Sequence, residues 1–148
     1  DDAVASGQDM KASPRTLQGH VLLVEDNPVN ALVAESILHD LGLQVTLATS
    51  GQQALDQLLP GPHPFDAVLM DCQMPEMDGL EATRRLRAHE QDTGAPNVPV
   101  VALTANAGPD DRARCAAAGM DDHLAKPFAS QELAQVLRRH LVPRAVTA

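Results

Sequence analysis

The sequence predicts an α/β domain: a doubly wound, five-stranded parallel sheet with helices on both faces. Two observations predict it. Short apolar runs alternate with amphipathic helical segments five times over, with short connections throughout. Acidic, hydroxyl or ammonium residues stand just past four of those apolar runs. In open parallel sheets that is the edge where ligands bind.

Residues 1–18 lack periodicity and are rich in Asp, Ser, Ala and Gly, which reads as a linker or tail. The first residue is Asp1 rather than Met, so a fragment or a processed product is expected. His20-Val21-Leu22-Leu23-Val24 is the first buried strand, followed by Glu25 and Asp26. Asn27 serves as N-cap with Pro28 in the first helical position. Val29, Leu32, Val33, Ile37 and Leu41 then keep helical spacing, and Gly42 closes the helix. Gln44 to Ala48 is the second strand. Ser50 and Gln53 form a capping box for a helix carrying Ala54, Leu55, Leu58 and Leu59, ended by Pro60-Gly61-Pro62.

Phe65 to Met70 is the third strand, with Asp71 at its end. The simplest alternative for Asp71 is a loop cap; the similar residues ending other strands weigh against it. Asp78 and Glu81 open a helix through Arg84, Arg85 and Leu86, and Asp92 to Asn97 reads as loop. Val98 to Leu103 is the fourth strand, ended by Thr104. Pro109-Asp110-Asp111 starts an Ala-rich helix that stops at Gly119. Asp122 to Ala125 is a short fifth strand, followed by Lys126. Ser130 caps a last helix with Leu133, Val136, Leu137 and Leu141 on one face. The domain is therefore expected to span 19–142, with 143–148 as a C-terminal tail.

Composition narrows the function. The chain has 148 residues, 44% of them hydrophobic, and a formal net charge of −9. A domain of this size buries roughly 70% of its unfolded surface and needs no staples. The core is aliphatic, for there is no Trp or Tyr and the Phe residues are Phe65 and Phe128. The acidic balance argues against nucleic acid as a partner, since that binding depends on Lys and Arg. No apolar run approaches membrane-spanning length and the first residues do not form a signal peptide. Cys72 and Cys115 have no metal-type spacing and read as free thiols of a reducing compartment.

The strand-end residues carry the chemistry. Glu25, Asp26 and Asp71 would repel one another unless a cation sat among them. A set of hard oxygen ligands suits Mg²⁺, which keeps several waters and takes phosphate oxygens. Thr104 and Lys126 are suited to the remaining oxygens of a phosphoryl group. Asp71 is then a carboxylate nucleophile that forms an acyl phosphate.

Four motifs, Val24-Glu25-Asp26-Asn27, Met70 to Gly79, Ala102-Leu103-Thr104-Ala105 and Ala125-Lys126-Pro127-Phe128, together resemble the receiver domain of two-component response regulators. The resemblance covers about residues 19–141 and implies a flavodoxin-like (βα)5 fold with strand order 2-1-3-4-5. It implies that Asp71 is the phosphoacceptor and that Asp26 binds Mg²⁺ directly, with Mn²⁺ as a substitute. Glu25 would hold the ion through water, and the backbone carbonyl of Gln73 would be a further ligand. Thr104 would be the switch hydroxyl and Lys126 the phosphate-binding lysine, with a cis bond before Pro127. Where the family usually has Tyr or Phe in strand five, this chain has His123: a smaller rotameric switch, a surface residue or a pH-sensitive group.

The resemblance is strongest to receivers fused behind a histidine kinase. It implies the cytoplasmic part of a membrane-anchored hybrid kinase. Such a domain catalyses its own phosphorylation and dephosphorylation without being a conventional turnover enzyme. Its partners would be a kinase core and a histidine phosphotransfer domain, docked at Val29, Asn30 and Val33, with another regulatory protein as a further option. No nucleic acid and no direct membrane contact is expected. The alternatives are a stand-alone regulator and a receiver used mainly as a docking module. An aspartyl-phosphate phosphatase would need an acid where Gln73 stands, and Glu25-Asp26 would repel the phosphate of a flavin.

Met70, Met74 and Met77 are expected to pack around the site rather than bind metal. His20, His39, His63, His89 and His140 read as solvated, and Arg84, Arg85 and Arg87 as a solvated helix face.

Overall fold

The computed structural model describes residues 17–59, 64–105, 108–126 and 128–141. Strands β1 (His20–Val24), β2 (Gln44–Ala48), β3 (Ala67–Asp71), β4 (Val100–Thr104) and β5 (Asp122–Ala125) alternate with helices α1 (Pro28–Asp40), α2 (Gly51–Leu58), α3 (Gly79–Thr93), α4 (Pro109–Ala118) and α5 (Ser130–His140). All neighbouring strands pair in parallel, in the order β2-β1-β3-β4-β5. This is the flavodoxin-like order.

Alternation along each strand divides the core into two layers. Val21, Leu23, Leu69, Val101 and Leu103 point to one face and meet α1 and α5 through Ala31, Ala34, Leu38, Leu133 and Leu137. Leu22, Val24, Val68, Met70, Val100 and Ala102 point to the other and meet α2, α3 and α4 through Leu55, Leu58, Leu86 and Cys115. The three central strands β1, β3 and β4 are buried on both faces, which is why each reads as a nearly unbroken aliphatic run, whereas the edge strands β2 and β5 are partly exposed. The register aligns Val24 with Ala48 and Met70, Asp71 with Leu103, and Thr104 with Ala125. The carboxyl ends of the strands therefore form one level rim. The chain reverses direction across the sheet between β1 and β3, and the crevice lies there.

Local signals explain the joints. The Asn27 side chain accepts from the backbone N–H of Val29 and Asn30, and Pro28 opens α1. Asp78 Oδ1 accepts from Glu81 N–H at 2.9 Å to cap α3. Gly42, Gly94 and Gly119 take positive φ where α1, α3 and α4 end, a region that L side chains resist.

Several details differ from the sequence reading. Helix α1 turns Ala31, Ala34 and Leu38 inward, while Val29, Leu32 and Val33 are 68%, 68% and 53% exposed. Small alanines let the helix lie close on the sheet, so the bulkier stripe is left outside near the rim. Helix α3 runs on to Thr93 across the start of the expected loop, because Gly94 provides its first left-handed stop. Ser130 is the first helical residue of α5 rather than its cap; Glu132 bonds back to the Ala129 N–H at 2.8 Å instead. Gln53 bonds back to the Thr49 N–H at 2.8 Å, one residue before the Ser50 cap. The expected Pro60-Gly61-Pro62 stop, the cis bond before Pro127, His63 and both tails lie outside the described residues apart from Leu17 and Gln18.

Arg87 is not solvated. Its guanidinium donates to Gly119 O at 2.9 Å, Glu90 Oε1 at 2.8 Å and Asp121 Oδ2 at 2.8 Å. Glu90, itself buried, also accepts from Val98 N–H at 3.0 Å, and Asp121 accepts from Val100 N–H at 2.8 Å. This network fastens α3 to the start of β4 and the end of α4. Arg84 and Arg85 do lie outside, paired with Glu81. Two histidines are also drawn in. His20 Nε2 lies 2.7 Å from Thr46 Oγ1 with its ring against Phe65, and His140 Nε2 lies 3.2 Å from Asp122 Oδ2.

Candidate functional site

The crevice between β1 and β3 gathers carboxylates from distant parts of the chain. One carboxylate oxygen each from Glu25, Asp26 and Asp71 lies within 4.8 Å of the others. Asp71 is the last residue of β3 and Glu25 the first after β1; both are buried, and Asp26 is exposed. The sheet register brings β1 and β3 side by side, so the cluster follows from topology.

Lys126 closes the site from the β5 side. Its Nζ is 3.3 Å from Asp71 Oδ1 and 3.3 Å from Glu25 Oε1. The Lys126 backbone N–H donates to Thr104 O at 2.7 Å, which fixes the end of β5 against the end of β4. Thr104 itself is buried at that rim. Gln73 N–H donates to Asp71 Oδ1 at 3.1 Å, and Asn27 N–H to Glu25 Oε2 at 3.2 Å.

These contacts set the electrostatics. Burial and the neighbouring Glu25 carboxylate push the Asp71 carboxyl up from 3.8 to about 6, against the Gln73 N–H and Lys126. Burial lowers the Lys126 ammonium, but Asp71 and Glu25 outweigh it and the net shift is upward. Two buried carboxylates beside an exposed one and a single ammonium leave excess negative charge. Hard oxygen donors in that state fit Mg²⁺.

A glycine holds the acceptor loop in place. A Cβ on Gly79 would press into the Asp71 carbonyl oxygen and come within 2.8 Å of Met70 Cγ. Gly79 therefore allows α3 to start directly behind Asp71, where its N–H meets Cys72 O at 3.3 Å. Glu76 takes a left-handed φ of 69° within the turn. Met70 and Met74 are buried and Met77 packs against the same cluster, as packing residues.

The other sequence-predicted residues lie around this center. Asn30 and Val33 line a 400 Å³ hollow beside Glu25, Lys126 and Phe128, and Val29 projects from the same end of α1. His123 is half-buried on β5, in register with Ala102 of β4 and two strands away from Asp71. Sequence reasoning missed the pairing of Cys72 with Cys115, whose sulfurs are 3.8 Å apart. Nothing in their spacing of 43 positions signals it. Burial first, then Cys115, pushes the Cys72 thiol well up.

Known proteins are similar to this chain in sequence and fold. The family model for the response regulator receiver domain matches residues 21–138. The sensor protein GacS of Pseudomonas syringae pv. syringae is 42% identical over 117 residues, covering 79% of this chain. The chain spans only 13% of the length of that protein. The receiver domain of sensor histidine kinase PA1611 from Pseudomonas aeruginosa, with a magnesium ion in its active site cleft, is 48% identical with a TM-score of 0.73. The match covers 83% of this chain and 97% of that one. The receiver domain of Ssk1 from Saccharomyces cerevisiae, solved with the histidine phosphotransfer protein Ypd1, is 29% identical with a TM-score of 0.78. It covers 84% of this chain and 90% of that chain.

Proposed function

The chain belongs to the response regulator receiver domain family, and from that premise we propose that it relays phosphoryl groups between histidines, with Asp71 as acceptor. The observation that carries this reading is the Glu25–Asp26–Asp71 oxygen cluster with the Lys126 ammonium against it. One Asp71 carboxylate oxygen attacks the phosphorus of a phosphohistidine, the P–N bond breaks, and an acyl phosphate forms. The released histidine nitrogen keeps the electron pair. Glu25, Asp26, Asp71 and the Gln73 carbonyl would hold Mg²⁺ or Mn²⁺, which neutralises phosphoryl charge and orients its oxygens. Lys126 pairs with a phosphoryl oxygen in place of its Asp71 contact.

Thr104 reads the modification. Its hydroxyl can bond a phosphoryl oxygen only once that group exists, so the contact biases a two-state surface that includes α4. His123, on the neighbouring strand, is the candidate to follow that shift in place of a larger aromatic ring.

The Ssk1–Ypd1 pairing supports a phosphotransfer domain as the partner by analogy, and the exposed Val29, Asn30 and Val33 beside the rim are the proposed docking face. The likeness to the receiver domain of sensor histidine kinase PA1611 supports a place behind a kinase core that charges it; a membrane-anchored parent, with this domain facing the cytoplasm, is part of the same proposal. Among the described residues no helix is long and apolar enough to cross a membrane. On this reading the folded receiver spans 19–142. The experiment is a relay: the phosphorylated domain is mixed with purified histidine phosphotransfer domains, and label is followed by gel. Transfer to at least one of them, slowed by Val33→Asp, is expected. Retention of all label on this domain contradicts the relay.

A further inference from the structure

Two thiols that the phosphoryl chemistry does not use face each other beside the site. Cys72 directly follows Asp71, and Cys115 sits on the inner face of α4. Both are free, with their Sγ atoms 3.8 Å apart. Both line a cavity of 460 Å³ that also reaches Gln73, Met74 and Thr104. Cys72 is half-buried and Cys115 buried, so Cys72 is the sulfur more open to a small reagent.

We infer that Cys72 and Cys115 form a reversible intramolecular disulfide that ties the acceptor loop to α4 when a low-molecular-weight disulfide is present as oxidant. A disulfide needs its sulfurs at about 2.05 Å, so the pair must close by roughly 1.8 Å. Cys72 is pinned on both sides: its N–H donates to Leu103 O at 3.0 Å and its carbonyl accepts from Gly79 N–H at 3.3 Å. The closing movement is therefore shared between rotation of the two side chains and a shift of α4. The tie would hold α4 at one distance from Asp71, and α4 belongs to the surface that Thr104 is proposed to bias.

The chemistry is thiol–disulfide exchange. Cys72 Sγ attacks one sulfur of the oxidant and a thiolate leaves. Cys115 Sγ then attacks Cys72 Sγ, the S–S bond forms, and the second thiolate leaves. The two cysteine protons end on the two released thiols, and the oxidant takes up two electrons. Cys72 is half-buried and Cys115 buried, so reagent access is limited, the exchange is slow and its test is made at equilibrium.

The effect on α4 rests on the proposed switch; the disulfide itself does not, and the two are read separately. The native domain is equilibrated with oxidised glutathione in about hundredfold excess over reduced. Free thiols are then blocked with N-ethylmaleimide and the intact mass is measured. Expected is one internal disulfide with no adduct, replaced by a single adduct in Cys72→Ser, Cys115→Ser and the smaller Cys115→Ala. Two maleimide or two glutathione adducts on the native protein overturn the disulfide. In the second arm, beryllofluoride and Mg²⁺ are added and the amide shifts of Ala113 and Ala117 are recorded. They should fall to less than half in the oxidised protein and return with dithiothreitol. Equal shifts in both states overturn the tie to α4. A reduced domain with no shifts at all counts against the phosphoryl reading, while the mass result decides the disulfide on its own.

Discussion

The Lys126 ammonium stands 3.3 Å from Asp71 Oδ1, although 55 positions of chain separate the two residues. Only the parallel pairing of β3 with β4 and β4 with β5 brings them to the same rim. The ammonium does not fully offset the burial of Asp71 and the charge of Glu25, and that imbalance governs how the metal-free domain responds to pH.

Asp71 titrates at about 6 in the fold and at 3.8 ordinarily. Between those values the folded protein holds a proton that the unfolded chain has lost, so its stability falls as pH rises from about 4 to 6 and then levels. Asp71→Asn removes this dependence. In metal-free buffer at pH 7 the variant should be more stable than wild type by roughly 1–2 kcal/mol, below the full shift because the site opens on a solvent rim. Thermal melts should show the difference shrinking toward pH 4. A difference that widens as pH falls contradicts the assignment.

Mg²⁺ needs the deprotonated carboxylates. Calorimetry should show affinity falling as pH drops below about 6, where Asp71 takes up its proton. Asp26→Ala should weaken Mg²⁺ binding at least about tenfold at pH 7.5 and leave the metal-free domain no less stable, since it relieves carboxylate repulsion. Unchanged affinity would remove Asp26 from the metal site.

Thr104→Ala and Lys126→Ala should still accept phosphoryl groups from a small donor, because neither supplies the attacking oxygen. Phosphorylation-dependent amide shifts in α4, β5 and α5 should shrink in both. Full-sized shifts in both variants would contradict their role as readers.

Arg87→Ala should cost about 2–4 kcal/mol in urea denaturation, because it strands the buried Glu90 carboxylate. Arg84→Ala, an exposed i,i+3 partner of Glu81, should cost under about 1 kcal/mol. Similar losses in the two variants would show that Arg87 is as solvated as its neighbours.

Much of this was legible in the sequence because the fold is local in kind. Each central strand is an apolar run buried on both faces, and Asp78, Gly42 and Gly119 mark helix ends by their own chemistry. The site was legible because Glu25, Asp26, Asp71, Thr104 and Lys126 each stand at a strand end. Long-range pairings were not legible. Arg87 with Asp121, His20 with Thr46, and Cys72 with Cys115 depend on which surfaces meet. Nor did spacing show which face of α1 is buried, for Val29, Leu32 and Val33 share the helical period with a core stripe.

The central claim is that Asp71 is the phosphoacceptor, and intact-mass measurement tests it most directly. The domain is incubated with acetyl phosphate and Mg²⁺, alongside Asp71→Asn. Wild type should gain one phosphoryl group that is lost in base, and the variant none. Labelling of the variant at the wild-type rate would place the chemistry on another residue and contradict the assignment.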